Sequence, residues 1–365
     1  MLTDRYAERR EKLRCGLQED DLHALLVSSP TNVSYLTGFT GDSSALLLGR
    51  ERDVLVSDGR FTTQIAQECP DLEAVIRPAA QTMNQAIAGV VAKLDGGRLG
   101  FEAAALSVAE FQSLTQALPD HSLVATTERV ETLRQIKDAS EIQAIRQAVD
   151  FAERAFLMVR PQIRPGMTEK EVADLLESSL RLCGATASSF PPIVAVGRNA
   201  ALPHARPTET ARIGDEDFVL FDWGATGRPY KSDLTRVVVT GKVTPEFERV
   251  YETVLEAQER AIASIRPGVL AHDVDAEARS FIEQAGFGRF FDHGLGHGLG
   301  MEIHEAPRLR RESNTILQPG MIVTVEPGIY LPGWGGIRIE DDVLVTPEGR
   351  EVLSRLPKAL DAVGV

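Results

Sequence analysis

Four acidic side chains in the second half of the chain stand at the ends of strand-like apolar runs. Asp222 ends one such run, and Asp233 comes eleven residues later, directly before the run Leu234–Val239. Glu326 and Glu340 repeat this arrangement roughly 100 residues further along the chain. A hairpin between the two runs of each pair would bring its carboxylates together. Four carboxylates in one pocket repel one another and lose solvation, so the pocket needs compensating positive charge.

A glycine-rich segment adds a cluster of histidines. Three of the seven histidines of the chain, His293, His297 and His304, lie within twelve residues. Glycine permits close backbone approach to a ligand, which favours a binding site in this segment. We assign ordinary core or surface roles to three other histidines: His23, His121 and His272.

Two divalent metal ions would supply the positive charge that the carboxylates need. Carboxylates can bridge two metals about 3.5–4 Å apart, a spacing that activates a hydroxide and stabilises an oxyanion. Oxygen-rich ligation with one imidazole favours harder ions. The sequence therefore predicts two divalent metal ions per chain, with Mn²⁺ as the first choice and Zn²⁺ or Co²⁺ as alternatives.

The elements that position these residues form an internal repeat. Arg164–Met167 recurs as Arg266–Val269, and Gly184 recurs as Gly286 at the same offset. Two further pairs of segments match in the same order: Phe218–Gly224 with Ile322–Gly328, and His204–Pro207 with His304–Pro307. A unit of this length that occurs only twice does not fit a solenoid. The repeat predicts a pseudo-twofold domain with a site between its halves.

The first 128 residues have a different pattern, in which short β-type runs alternate with helix-like segments such as Thr82–Leu94. The predicted strands are His23–Ser29, Ser44–Gly49, Asp53–Asp58, Glu73–Pro78, Arg98–Glu102 and His121–Thr127. A capping box from Asp138 to Glu141 then opens a long amphipathic helix. We therefore predict an α/β domain over residues 1–128 and a second domain over residues 129–365.

Bulk properties exclude several classes of protein. The net charge of −14 and the pI near 5.1 oppose binding to nucleic acid. No apolar stretch approaches a membrane span, and the amino terminus lacks the apolar core of a signal peptide. Cys15, Cys69 and Cys183 are too scattered for a disulfide framework. These features predict a cytoplasmic protein without membrane or nucleic-acid partners.

Four motifs occur in order along the second domain: FDWG…SDLTR, HGLGHGLG…IHEAP, VEPGIY and IRIEDD. With them the sequence resembles the pita-bread metallopeptidases, the superfamily of methionine aminopeptidase, aminopeptidase P and prolidase. The resemblance covers essentially the whole chain, and the amino-terminal domain is similar to that of the creatinase/prolidase branch. It implies an α/β amino-terminal domain followed by an α+β pita-bread (creatinase/aminopeptidase) domain with pseudo-twofold symmetry.

The resemblance also implies a role for each ligand. Asp222 would chelate one metal, Asp233 and Glu340 would bridge the two, and His297 and Glu326 would bind the other. Glu326 would serve as the general base as well. Three histidines would line the cleft, orient the scissile carbonyl, stabilise the tetrahedral intermediate and shuttle protons without binding metal: His204, His293 and His304.

Substrate specificity follows from the same resemblance. Ile303, Tyr330 and Arg338 match positions that shape a proline pocket, and Arg308 resembles an arginine that some prolidases use near the substrate carboxylate. A bond that precedes proline has no N–H, so the departing imino nitrogen needs a proton. His293 or His304 could deliver it. The favoured function is an Xaa-Pro dipeptidase that uses dipeptides or short peptides.

Two alternatives stay open. Aminopeptidase P would take longer Xaa-Pro-Yaa peptides, and the motifs do not separate it from prolidase. A non-catalytic binding module of this fold would have lost its metal ligands, whereas all five are present here. The resemblance further implies a homodimer in which the amino-terminal domain limits access to the partner's cleft, and the Gly-punctuated stretch Tyr35–Asp42 is predicted to be a loop that could reach across the interface.

Overall fold

The computed structural model of the chain describes residues 2–94, 97–214, 216–362 and 364. The chain divides into two compact units, Met1–Arg134 and Gln135–Val365. Within the described residues, none of the helices combines the length and apolar character that crossing a membrane requires.

The first unit is a mixed six-stranded sheet with helices, in the strand order β4-β3-β2-β1-β5-β6. Its elements are α1 (Leu2–Glu19), β1 (Ala24–Val27), α2 (Pro30–Thr37), β2 (Ser44–Gly49), β3 (Asp53–Asp58), α3 (Thr62–Glu68), β4 (Glu73–Arg77), α4 (Met83–Val91), β5 (Arg98–Glu102), α5 (Val108–Ala117), β6 (Ser122–Thr126) and α6 (Arg129–Gln135). The strands and α4 bury a core that includes Leu26, Leu47, Val56 and Val90. This architecture confirms the predicted α/β domain and all six predicted strands to within two residues at each end.

The prediction that Tyr35–Asp42 is a loop is wrong for its first part. Residues 35–37 form the last turn of α2, where Tyr35 and Leu36 are buried. Pro30 favours the start of this helix because its fixed φ suits the first turn. Gly38 ends the helix in a left-handed conformation with φ 79°. A buried helical turn is not available to reach into another chain.

Among its described residues, the second unit contains four α-helices and several small antiparallel sheets. Its elements are α7 (Ala139–Val159), α8 (Glu169–Leu182), β7 (Ala187–Ser188), β8 (Ile193–Val196), β9 (Phe218–Trp223), β10 (Ala225–Thr226), β11 (Leu234–Val239), α9 (Pro245–Ser264), α10 (Ala271–Gln284), β12 (Gly296–Gly298), β13 (Glu305–Leu309), β14 (Ile322–Val325), β15 (Gly328–Leu331), β16 (Gly335–Arg338), β17 (Asp341–Thr346) and β18 (Gly349–Val352). The two largest sheets have the orders β11-β9-β8 and β13-β12-β14-β17-β18.

The internal repeat is reproduced at the level of single hydrogen bonds. Gly166 N donates to Ile213 O at 2.8 Å, and Gly268 N donates to Leu317 O at 2.9 Å. Both glycines are left-handed, with φ of 90° and 87°, and each precedes a helix of 14 residues, α8 or α10. These equivalences confirm the predicted pseudo-twofold domain.

The long helices α7 and α9 supply the apolar faces that cover the sheets. Asp138 and Glu141 form the predicted capping box at the start of α7, and Phe156 of the same helix stacks on Trp223 of β9. In the second half, Val250 and Val254 of α9 are fully buried in the core shared with β14 and β17. Rigid helices thus support the strands whose ends carry the candidate site.

Candidate metal centre and cleft

The strands place the four carboxylates much as the sequence predicts. β9 and β11 pair antiparallel with Asp222 opposite Thr235, so Asp222 and Asp233 come from one hairpin. β14 and β17 also pair antiparallel, with Val325 opposite Asp341. Glu326 directly follows β14 and Glu340 directly precedes β17, so these two carboxylates leave the sheet at the same end.

The strands β14 and β17 are not joined by a simple hairpin turn. A separate hairpin of β15 and β16 is inserted between β14 and β17. Its strands are only four residues long and rich in glycine, so they lack the periodic pattern that identifies a strand in a sequence. The inserted hairpin carries Tyr330 and Arg338 to the site.

The side chains converge with His297 between the two halves. Nε2 of His297 lies 3.6 Å from Oδ2 of Asp233 and 3.3 Å from Oε1 of Glu326. Asp233, His297 and Glu340 each offer a ligand atom within 4.8 Å of the other two, and all three are buried. The cluster therefore combines carboxylate oxygens and one imidazole nitrogen from both halves of the repeat.

Two buried oxygens of this cluster fit a cation. Among the residues that the structure describes, Asp222 Oδ1 and Glu340 Oε1 have no hydrogen-bond partner, while Asp222 Oδ2 accepts from Arg338 Nη2 and Glu340 Oε2 accepts from Thr235 Oγ1 at 2.6 Å. Burial, followed by repulsion from the neighbouring carboxylates, raises the pKa of Asp233 and of Glu340 well above the usual range. Bound divalent cations would satisfy the free oxygens and keep the carboxylates charged.

His297 is held in the tautomer that a metal ligand needs. Its Nδ1 lies 3.0 Å from the Gly298 carbonyl oxygen, to which it donates, so Nε2 presents a lone pair to the carboxylates. Burial lowers the pKa of His297 to about 3, which keeps the ring neutral near pH 7. The backbone N–H of His297 donates to Thr324 Oγ1 at 3.0 Å, and this hydroxyl in turn donates to Glu326 Oε1 at 3.2 Å.

Sequence reasoning missed the residues that hold the ligands. Thr235 Oγ1 donates to Glu340 and accepts from Arg338 Nε at 3.0 Å. Asp342 Oδ2 accepts from Asp233 N at 3.1 Å. Thr235 is the second residue of β11 and supports Glu340 of the other half. Asp342 is the second residue of β17 and supports Asp233 of the other half. Their position two residues after Asp233 and Glu340, on the same strand face, was the available signal.

One cleft of about 640 Å³ contains every candidate residue of the sequence analysis. It is lined by Asp222, Asp233, His297, Glu326 and Glu340, by His204, His293 and His304, and by Ile303, Tyr330, Arg338 and Arg308. Phe190, Pro191, Pro203 and Arg206 also line it and were not predicted. Arg206 belongs to the repeated segment His204–Pro207, whereas Phe190, Pro191 and Pro203 lie outside the matched motifs and repeats, so only the fold identifies those three.

Tyr330 connects Arg338 to His293. Arg338 Nη1 donates to the Tyr330 hydroxyl at 2.8 Å, and this hydroxyl lies 3.0 Å from His293 Nε2. His293 Nδ1 lies 2.7 Å from the Gly294 carbonyl oxygen and donates to it, so Nε2 accepts from Tyr330. Burial, then the charge of Arg338, lowers the pKa of His293 to about 4. His293 is therefore a neutral acceptor whose ring is fixed at both nitrogens.

His304, His204 and Arg308 stand in more open surroundings. All three are exposed side chains of the cleft wall. The ring of His304 lies edge-on against that of His297, with centroids 4.5 Å apart. Arg308 is opposite His297 in the pairing of β13 with β12. These exposed groups can meet a substrate without first breaking a buried contact.

Comparisons with known proteins agree with this architecture. Residues 143–347 match the model of metallopeptidase family M24, and residues 9–136 match the creatinase/prolidase N-terminal domain. The chain is 34% identical over 360 residues to the Xaa-Pro dipeptidase of Pyrococcus furiosus, covering 97% of this chain and 99% of that one. A solved Xaa-Pro dipeptidase from Bacillus anthracis superposes with a TM-score of 0.94 at 39% identity, covering 99% of this chain and 100% of that one. A solved X-Pro aminopeptidase from Thermotoga maritima superposes at 0.85 with 38% identity, covering 92% and 96%.

Proposed function

The chain belongs to metallopeptidase family M24, and from this premise we propose that it is an Xaa-Pro dipeptidase that cleaves the bond between an N-terminal residue and proline. The observation that carries the proposal is the convergence of five ligand-type side chains with a tyrosine, an arginine and three histidines in one cleft. Similarity to both an Xaa-Pro dipeptidase and an X-Pro aminopeptidase supports a substrate with proline in second position. Metal-dependent release of proline from Ala-Pro tests the proposal.

Two divalent cations, with Mn²⁺ as the first choice, are part of the proposal. Asp222, Asp233, Glu340, His297 and Glu326 would hold them, with Asp233 and Glu340 in bridging positions. When bound, the metals would lower the pKa of a water and polarise the scissile carbonyl. The protein contributes the ordered ligands, and Thr235 and Thr324 fix Glu340 and Glu326 through their hydroxyls.

Glu326 is the proposed general base. Burial raises its pKa to about 7 against the opposing charge of Arg338. Bound cations would lower this pKa and keep Glu326 ionised, so that its carboxylate could take a proton from a water molecule. Its side chain stays 18% exposed in the cleft, so a water molecule can reach it.

Proline recognition is assigned to the apolar and aromatic part of the wall. Ile303 and Tyr330 offer carbon surface to a pyrrolidine ring, and Arg338 fixes the Tyr330 hydroxyl. His293 accepts from Tyr330 and is neutral near pH 7, so it is a poor proton donor. Burial, then the charge of Arg308, also lowers the pKa of His304, but its exposed position on the cleft wall makes it the better candidate for protonating the departing imino nitrogen.

Replacing His304 or His293 by alanine is expected to lower kcat for Ala-Pro while the metal content stays native. We expect a loss of about 100-fold for His304→Ala, the usual scale of general acid–base catalysis. His293→Ala should also lower mainly kcat, because it removes the acceptor of the Tyr330 hydroxyl. Steady-state kinetics and elemental analysis of the same samples check this. Unchanged kcat in both variants would assign the histidines a structural role.

Arg308 is the proposed contact for the free carboxylate of a dipeptide. Guanidinium and carboxylate can pair in a bidentate manner, whereas a longer peptide presents a neutral amide at that point. Because Arg308 is exposed, the pairing should contribute only about 0.5–1 kcal/mol, or roughly two- to fivefold in KM.

The corresponding experiment compares Ala-Pro with Ala-Pro-Ala for the native protein and for Arg308→Ala. The native protein is expected to favour the dipeptide, and the variant to raise KM for the dipeptide selectively. If the native protein cleaves the tripeptide as well or better, aminopeptidase P is the correct assignment.

The homodimer and the cytoplasmic location stay predictions. Sedimentation tests the first and cell fractionation the second.

A further inference from the structure

We propose that Lys137 and Glu305 form a positioning pair that fixes the cleft segment Met301–His304 for catalysis. Neither residue lines the cleft, so neither is assigned contact with substrate. The inference rests on the proposed function, since it gives the pair a role in the reaction of that cleft.

The pair is a fully buried ion pair. Lys137 Nζ lies 3.1 Å from Glu305 Oε2, and the two side chains are 1% and 6% exposed. Removing two charges from water opposes the gain from their attraction, so a buried pair contributes little net stability over apolar residues of the same volume. Such a pair instead fixes the positions of its two side chains. Glu305 directly follows His304 in the chain.

The carboxylate of Glu305 shapes the backbone that precedes His304. Its Oε1 accepts from Glu302 N at 3.1 Å, and Gly300 N donates to Glu302 O at 3.0 Å to close the turn. A Cβ atom at Gly300 would lie 2.6 and 2.7 Å from the two carboxylate oxygens. The backbone of Gly300 therefore runs directly against the carboxylate, and a larger residue there would displace it.

The chain before and after His304 depends on the position of Glu305. Ile303 and His304 line the cleft, and the His304 ring contacts that of His297. Glu305 pairs in the sheet with Gly298, where the register of β12 and β13 shifts between His297 and Gly298. A displaced Glu305 would move the proposed proton donor relative to the metal ligand beside it.

Lys137 is itself held firmly enough to act as an anchor. Its backbone N–H donates to Gly320 O at 2.9 Å. Gly320 is left-handed with φ 91°, and a Cβ there would lie 3.0 Å from Lys137 O. The next residue, Asp138, is the N-cap of α7. The ammonium group thus projects from a backbone fixed on both sides.

Lys137→Met is the test, with kcat for Ala-Pro, metal content and folded fraction measured on the same samples. We expect kcat to fall about 10- to 100-fold with native metal content and a protein still folded at the assay temperature, although its Tm falls because Glu305 loses a buried cationic partner. In a His304→Ala background the same substitution should lower kcat by no more than about twofold, because the imidazole that the pair positions is already absent. The double variant K137M/E305Q should recover part of the loss, since the amide keeps an acceptor for Glu302 N without an uncompensated charge.

Arg146→Met is the matched control. It removes the half-exposed ion pair between Arg146 of α7 and Glu351 (Nη2 to Oε2, 2.7 Å), which does not touch the cleft segment, and kcat should stay native. A native kcat in Lys137→Met would overturn the proposal. So would an equal loss of kcat when Lys137→Met is made in the native protein and in His304→Ala. Faster amide hydrogen exchange at residues 302–304 is expected in Lys137→Met whether or not Ala-Pro is cleaved. Native exchange would also overturn it, whereas a native protein inert towards Ala-Pro would count against the proposed function alone.

Discussion

Asp233→Ala is expected to remove bound metal and peptidase activity together. Asp233 lies at the centre of the cluster, 3.6 Å from His297 Nε2, and its backbone N–H is fixed by Asp342. As the proposed bridging ligand it would serve both ions, so the effect of its loss would not be confined to one of them. Several kcal/mol of transition-state stabilisation are at stake, which corresponds to a loss of roughly 1,000-fold in kcat/KM.

Elemental analysis and Ala-Pro kinetics on the purified variant check this expectation. Asp292→Ala is the control, because Asp292 is an exposed carboxylate next to His293 in the chain that does not line the cleft. It should keep native metal content and rate. Native activity in Asp233→Ala would reject the assignment of the metal centre.

Arg236→Met is expected to destabilise the second unit more than any surface change. Arg236 of β11 donates to Asp341 Oδ1 at 2.7 Å and to the carbonyl oxygens of Glu340 and Leu356. Asp341 also accepts from Lys358 at 2.8 Å. Removing Arg236 leaves the buried Asp341 with Lys358 as its cationic partner and takes a donor from two backbone carbonyls, which costs about 3–5 kcal/mol and lowers Tm by on the order of 10 °C.

The same ion network gives a pH signature. Burial raises the pKa of Asp341, but Arg236 and Lys358 outweigh burial and lower it to about 2. The stabilisation is therefore present above the unfolded pKa near 4 and is lost as the pH falls towards 2. Without Arg236, acid unfolding should begin at a higher pH.

Thermal unfolding followed by circular dichroism, at pH 7 and at lower pH, measures both effects. Arg154→Met is the control, because it breaks an exposed pair with Asp150 in which the side chains are 54% and 59% exposed. Its cost should stay below about 1 kcal/mol. Equal Tm values for the two variants would show that the Arg236 network does not hold the halves of the repeat together.

The sequence predicts the carboxylate positions because strand ends and repeats leave local signals. Asp222 and Glu326 both end apolar runs, and the two left-handed glycines Gly166 and Gly268 mark equivalent turns. The support of these ligands has one local signal, the two-residue spacing of Thr235 and Asp342 from Asp233 and Glu340, and this spacing does not show which ligand each residue supports. Thr235 meets Arg338 and Glu340 across 103 and 105 residues of chain, and only the tertiary fold brings them together.

The errors have similar physical origins. The glycines of Tyr35–Asp42 suggest a loop, yet the end of α2 is buried, since helix capping by Gly38 and core packing outweigh local composition. The β15–β16 hairpin escaped detection because its four-residue strands are too short for a periodic pattern. The exposure of Arg308, which limits its expected effect, likewise depends on how β13 lies in the sheet.

We propose this cleft as a metal-dependent Xaa-Pro peptidase site. The most direct measurement strips the native protein with a chelator, adds back Mn²⁺ in steps, and follows proline release from Ala-Pro together with bound metal. We expect no proline release without metal and full recovery of proline release as occupancy reaches two ions per chain. Undiminished release from the stripped protein, or no release at full occupancy, would contradict it.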